Sequence, residues 1–216
     1  MTAAATAPPG PTITTVVFDL GGVLIDWDPR HLYRQLLADD EAIDAFLEEV
    51  GFAEWNHAVD AGTTTWVEAV AALVVAHPQH RELIEAYPRR FSETLAGPID
   101  DTVSLLRELH AQGVTLLAVT NWSAETFPVA LDRFDFLTLF DDVVVSGVEH
   151  VAKPDPAIFE LLVRRHRLEP SRTVFVDDKV ANVEAAERVG LIGLQFLDAA
   201  TLRLELEAAG LLRPPA

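Results

Sequence analysis

The sequence contains no cysteine. That excludes disulfide frameworks, thiolate zinc sites and cysteine nucleophiles, and it leaves the redox compartment open. Basic residues are scarce: 16 Lys and Arg stand against 34 Asp and Glu, a formal net charge of −18. So acidic a surface repels phosphate backbones and anionic lipid, so neither nucleic acid nor a membrane is expected as a partner. Long apolar runs are missing too. The longest, Ala69 to Ala76, has eight residues, well short of the ~18 that a membrane span needs. Met1 to Thr12 is rich in Ala, Thr and Pro and lacks the basic start and apolar stretch of a signal peptide. A short disordered arm over 1–12 and a cytoplasmic location are the expectation.

What is present reads as globular. Half of the 216 residues are apolar and 23% are charged, ample material for a buried core. At roughly 150 residues per domain, the length suits one large domain or one domain with an insertion. Thr14 to Phe18 is short, β-branched and apolar and runs into Asp19 and Gly21-Gly22, the pattern of a buried strand feeding a tight turn. Asp28-Pro29 fits an N-cap with proline in the first helical position. Helical patterns follow through Leu32 to Leu37 and Ile43 to Val50, from the capping box Thr65-Trp66-Val67-Glu68 to His77-Pro78, and from about Gln79 to Leu95. From 29 to 97 the expectation is all helix and no strand. Beyond Gly97-Pro98 the texture changes. Strands are expected at Val114 to Val119, Val143 to Val145, Thr173 to Val176 and Leu191 to Phe196, each separated from the next by a helical pattern. Apolar strands alternating with helices imply an α/β fold: a doubly wound, five-stranded, parallel Rossmann-like sheet. The helical block is then an insertion after the first strand, with a core of 13–28 and 98–216.

Ligands of open α/β sheets bind outside the carboxyl ends of the strands. Asp19, Gly21 and Gly22 follow the first strand, and Thr120-Asn121 ends the second. Lys153-Pro154-Asp155-Pro156 comes after the third, and Asp177-Asp178-Lys179 after the fourth. Each taken alone reads as a turn or cap residue, and Asp155 in particular fits an N-cap. Together they bring carboxylates, a hydroxyl, an amide and a lysine to one edge. Carboxylates from separate strands suit a hard cation such as Mg²⁺, the lysine suits an anionic group beside it, and Asp19 suits a carboxylate nucleophile.

These segments carry a resemblance. Val17-Phe18-Asp19-Leu20-Gly21-Gly22-Val23 resembles the first motif of the haloacid dehalogenase superfamily. Thr120-Asn121 is similar to its second, Lys153-Pro154-Asp155-Pro156 to its third, and Phe175-Val176-Asp177-Asp178 with Asn182 to its fourth. The motifs occur in order over about residues 14 to 197, and the block 29–97 sits where that superfamily places a C1 helical cap. Asp19-Leu20-Gly21, Thr120-Asn121-Trp122-Ser123 and Asp177-Asp178 are most similar to bacterial phosphatases related to glucose-1-phosphate phosphatase and to the N-terminal domain of epoxide hydrolases.

The resemblance implies a Mg²⁺-dependent phosphatase acting on a small phosphorylated metabolite, such as a sugar phosphate, as a monomer or homodimer. It makes Asp19 the nucleophile. Asp19, the Gly21 carbonyl, Asp178 and Asp177 become the metal ligands, with Asn182 behind them. Thr120, Asn121 and Lys153 then hold phosphoryl oxygens, and Lys153 also screens Asp19. The common phosphatase pattern has a second Asp two residues after the nucleophile as general acid and base; here that position is Gly21, which leaves Asp26, Asp28 and His31 as candidates. Two other readings stand beside the phosphatase. One is a metal-free 2-haloacid dehalogenase using the same Asp, against which the pair Asp177-Asp178 speaks. The other is a non-catalytic member that binds a phosphorylated ligand. In the helical block, Trp55, His57 and Trp66 are candidates for a substrate pocket, with plain core packing as the alternative.

Overall fold

The computed structural model describes residues 12–213. The expected arm lies outside them except for Thr12, whose carbonyl accepts a hydrogen bond from Arg172 Nε at 2.7 Å. In chain order the elements are β1 (Thr15–Phe18), β2 (Ile25–Trp27), α1 (Pro29–Tyr33), α2 (Asp40–Glu49), α3 (Phe52–Asp60), α4 (Trp66–Ala76), α5 (Arg81–Arg89), β3 (Leu95–Pro98) and α6 (Asp100–Ala111). They continue with β4 (Thr115–Thr120), α7 (Phe127–Arg133), β5 (Asp142–Val145), α8 (Ser146–Glu149), α9 (Pro156–His166), β6 (Thr173–Asp177), α10 (Val180–Arg188), β7 (Ile192–Gln195) and α11 (Ala199–Ala208).

Five strands form one parallel sheet in the order β5-β4-β1-β6-β7. Alternate residues build its two cores, because side chains along a strand point to opposite faces. Val16 and Phe18 of β1, with Leu116, Ala118, Val174 and Val176, face the larger core, which α6 and α11 cover. Val17, Leu117, Val119 and Phe175 face the second, closed by Ile158, Phe159 and Leu162 of α9 and Ala185 and Ala186 of α10. Successive connections turn to opposite sides of β1, so the switch point of the sheet lies at its carboxyl end, where Asp19 sits.

The block after β1 departs from the expectation in three places. First, it is not free of strand. β3 pairs antiparallel with β2, Ile25 opposite Pro98 and Trp27 opposite Leu95. Leu-Ala-Gly-Pro has no β-branched residue and no alternation, so it carries no strand signal. Second, a separate helix, α3, starts at Gly51. This glycine ends α2 and, at φ 61°, also caps α3, so the sequence shows a stop and hides a start. Third, the helix expected from Gln79 to Leu95 is only α5, with 3₁₀ turns at Pro78–His80 and Phe91–Thr94. Pro88 lies in its last turn, where the missing N–H and the ring oppose continuation. Other local signals act as read: Asp28 accepts from Arg30 N at 2.8 Å, Thr65 and Glu68 form the capping box, and Asp155 caps α9.

Candidate active site

Asp19 follows β1 with its carboxylate nearly buried. Oδ1 accepts from the Leu20 N–H at 2.7 Å, and Oδ2 lies 2.9 Å from Lys153 Nζ. The same ammonium donates to Asp177 Oδ2 at 2.7 Å. Burial pushes the Asp19 carboxyl up to about 7; Lys153 pulls against it and Asp177 adds to it. Burial acts to lower the Lys153 ammonium, but Asp19 and Asp177 on either side hold it above the ordinary lysine value. The lysine thus stays charged between two carboxylates.

Asp177 is fully buried and fully engaged. Asn182 Nδ2 donates to both of its oxygens, at 2.9 and 3.0 Å, and the Lys179 N–H donates to Oδ1 at 2.8 Å. Asp178 is different: its Oδ1 is buried with no hydrogen-bond partner. Burial raises its carboxyl above the usual range, and Asp177 adds to the rise. One oxygen from each of Asp19, Asp177 and Asp178 lies within 4.8 Å of the others. An all-carboxylate donor set with an unpartnered buried oxygen fits Mg²⁺, a hard cation that takes oxygen ligands. Gly22 leaves room for this arrangement. It has φ +77°, and a Cβ there would stand 3.1 Å from Asp178 Oδ2.

Thr120 ends β4, buried at the floor of a cavity of about 690 Å³ shared with Asp19, Gly21, Asn121, Lys153 and Asn182. Asn121 has an unexpected task. Its Oδ1 accepts from the Lys153 N–H and its Nδ2 donates to the Lys153 carbonyl, both at 2.8 Å. The carboxamide therefore fixes the backbone that carries the lysine, and Asn121 also lines the cavity.

A family model described as haloacid dehalogenase-like hydrolase matches residues 13–190. The chain belongs to this family. Within these hydrolases it is 28% identical to sesquiterpene phosphatase astK of Aspergillus oryzae over 204 residues, covering 90% of this chain and 95% of that one. Its fold is that of the family enzyme bt-2542 of Bacteroides thetaiotaomicron, whose structure holds magnesium and inorganic phosphate (TM-score 0.64, 19% identity, 88% of this chain and 98% of that one). The L-2-haloacid dehalogenase of Xanthobacter autotrophicus shares the fold as well (TM-score 0.61, 19% identity, 93% and 84%).

In this hydrolase the three candidate proton donors part company. His31 Nε2 meets Asp26 Oδ1 at 2.9 Å on the surface, and neither lines the cavity. Asp28 does line it, with Oδ1 engaged in capping α1. Of the aromatic candidates, Trp55 and Trp66 pack together with ring centroids 5.0 Å apart, away from the cavity wall, while His57 lies on it.

Asp60, at the end of α3, was given no role by the sequence. Its Oδ1 accepts from the Ser123 N–H at 2.9 Å and its Oδ2 from Asn56 at 2.6 Å. Its carbonyl accepts from Ser146 Oγ, which itself accepts from the Trp122 N–H at 2.9 Å. Burial pushes the Asp60 carboxyl up to about 7, opposed by these hydrogen bonds and by Lys179. Two residues on, Gly62 presses against α8: a Cβ there would stand 2.7 Å from the Gly147 carbonyl. The tip of the helical block is thereby fastened to the loop that leaves β4. The signal was the chain segment Asp60-Ala61-Gly62 itself, but its partners lie more than sixty residues away.

Proposed function

We propose that this hydrolase is a Mg²⁺-dependent phosphatase that cleaves a small phosphomonoester through an aspartyl-phosphate on Asp19. The observation that carries the reading is Asp19 held at 2.9 Å by a buried Lys153, with Asp178 Oδ1 unpartnered beside it, at the floor of a cavity. A relative aligned along nearly its whole length is named a phosphatase, which supports the same reading.

Asp19 attacks phosphorus, the bond from phosphorus to the alcohol oxygen breaks, and the departing oxygen takes its proton from solvent water. Water then hydrolyses the acyl phosphate, releasing inorganic phosphate and restoring the carboxylate. Lys153 offsets the charge of the incoming phosphate, and Thr120 with nearby N–H groups holds its oxygens. Asn121 positions Lys153, and Asp177, backed by Asn182, orients it from the other side. Asp19, the Gly21 carbonyl and Asp178 would hold Mg²⁺, with Asp177 joining directly or through water. The ion would neutralise charge that builds on the phosphoryl oxygens. Residues 29–97 act as a cap over a core of 13–28 and 98–216, and the phosphatase works in the cytoplasm.

Phosphate release from 4-nitrophenyl phosphate and a metabolite panel, with and without Mg²⁺, tests this. Asp19→Asn should lower turnover by several orders of magnitude, about 10³-fold or more. Added Mg²⁺ should raise the Tm of the wild type but not of Asp178→Asn. Metal-independent halide release from a 2-haloacid, or full activity in Asp19→Asn, would overturn the proposal.

A further inference from the structure

We infer that the alcohol half of the substrate is uncharged and presents an apolar face, and that a second anionic group on it is selected against. The inference rests on the phosphatase reading of the same site and deepens it.

The cavity is about 690 Å³, far more than a phosphate group fills, so most of it is available to the alcohol. One wall is aromatic and continuous. Trp122, two residues beyond Thr120, meets Phe91 edge to face with centroids 5.8 Å apart. Phe91 meets Tyr87 at 5.9 Å, and Tyr87 meets Phe52 at 4.9 Å. All four line the cavity, so the wall leads from the end of β4 outward to α3. Such a surface rewards apolar area taken from water.

The rest of the lining is acidic. Besides Asp19, the cavity is lined by Asp28, Asp44 and Glu48 and by Asp60, whose buried carboxyl is pushed up to about 7. Besides Lys153, the described lining residues offer Arg30, Lys179 and His57 as basic groups. Arg30 is already committed: its Nε donates to Asp44 Oδ1 at 3.1 Å, and Nη1 lies 3.7 Å from Asp28. Lys179 adjoins Asp178, and its charge acts on both Asp178 and Asp60. Lys153 is held between Asp19 and Asp177. The phosphate end therefore has its cations; of the basic groups in the described lining only the His57 imidazole has no acidic partner, and it stands against Asp28, Asp44 and Glu48. A carboxylate or second phosphate placed there meets like charge.

Matched substrates test this with the full chain and saturating Mg²⁺, using 4-nitrophenyl phosphate as the activity control. Propyl phosphate is compared with phosphoglycolate, and glucose 1-phosphate with glucose 1,6-bisphosphate. The member of each pair whose alcohol half is uncharged should have the higher kcat/KM by about tenfold or more. Glu48→Lys should narrow both ratios. Along methyl, butyl and hexyl phosphate, kcat/KM should climb, by up to about fourfold per methylene. Equal or better use of the doubly anionic substrates, or a flat alkyl series, overturns the inference while the phosphatase reading stands. Failure to cleave even 4-nitrophenyl phosphate removes that reading, and the inference with it.

Discussion

Asp19, Thr120, Asp177 and Asp178 could be placed from sequence because each lies at a strand end marked by a change from apolar to polar residues, and Lys153 because it lies in the connection after β5. Strand ends of a parallel sheet converge, so the residues converge with them. What the spacing does not reveal is which polar atom each side chain spends on its neighbours. Asn121 and Thr120 are adjacent in sequence, yet the Asn121 carboxamide is taken up by the Lys153 main chain. Gly21 gives the sharpest residue-level test. A Cβ there would meet nothing nearer than Trp27 Cβ at 3.9 Å, and its backbone is not in the left-handed region. Gly21→Asp should therefore fold with a Tm near that of the wild type. Asp26 and His31 pair away from the cavity and Asp28 caps α1, so the wild type should depend steeply on leaving-group pKa. An added acid at position 21 should flatten that dependence and speed alkyl substrates by about 10²-fold or more. Rates across a series of aryl and alkyl phosphates decide it, and a shallow wild-type slope would reveal a donor already in place.

Among the elements, the connection from α3 to α4 is where the helical block is joined to the sheet. Asp60 accepts from Ser123 and, through its carbonyl, from Ser146; Gly62 lies against Gly147; and the Trp66 N–H donates to Glu125 at 2.9 Å. Asp60→Ala leaves the Ser123 N–H unpaired, at a cost of about 1–3 kcal/mol. Asp60→Asn keeps one oxygen for Ser123, and rotation of Asn56 supplies an acceptor for the new amide. If Asp60 acts by fastening, Asp60→Ala should raise KM and lower kcat while Asp60→Asn stays close to wild type. If it acts by moving a proton, both variants fail alike. Among the elements that sequence reading missed, β2 and β3 are settled by each other as distant partners and α3 by a glycine with two roles. Those it placed, β1, β4, β6 and the capped helices, carry their signals within their own residues.

For the molecule as a whole, buried carboxyls tie stability to pH. The Asp60 carboxyl titrates near 7 when folded, against 3.8 for an unperturbed group. Between those values the folded chain keeps a proton that the unfolded chain has released, so stability falls as pH rises through this window. Asp60→Asn removes that slope. Its Tm relative to wild type should climb from about pH 4 to about pH 7 and then level off, as thermal unfolding in a chelator at several pH values would show. A separate consequence follows from the ribbon of β2 and β3. The chain leaves the sheet domain and returns to it on adjacent strands, with the Asp28 N–H donating to the Thr94 carbonyl at 3.0 Å and the Ile99 N–H to the Leu24 carbonyl at 2.9 Å. Entry and exit are thus a single socket. A block exchanged at this socket should leave the end of β1 in place once the contacts of Asp60, Gly62 and Trp66 to the sheet side are rebuilt, so the chemistry at Asp19 and what surrounds it could be engineered separately.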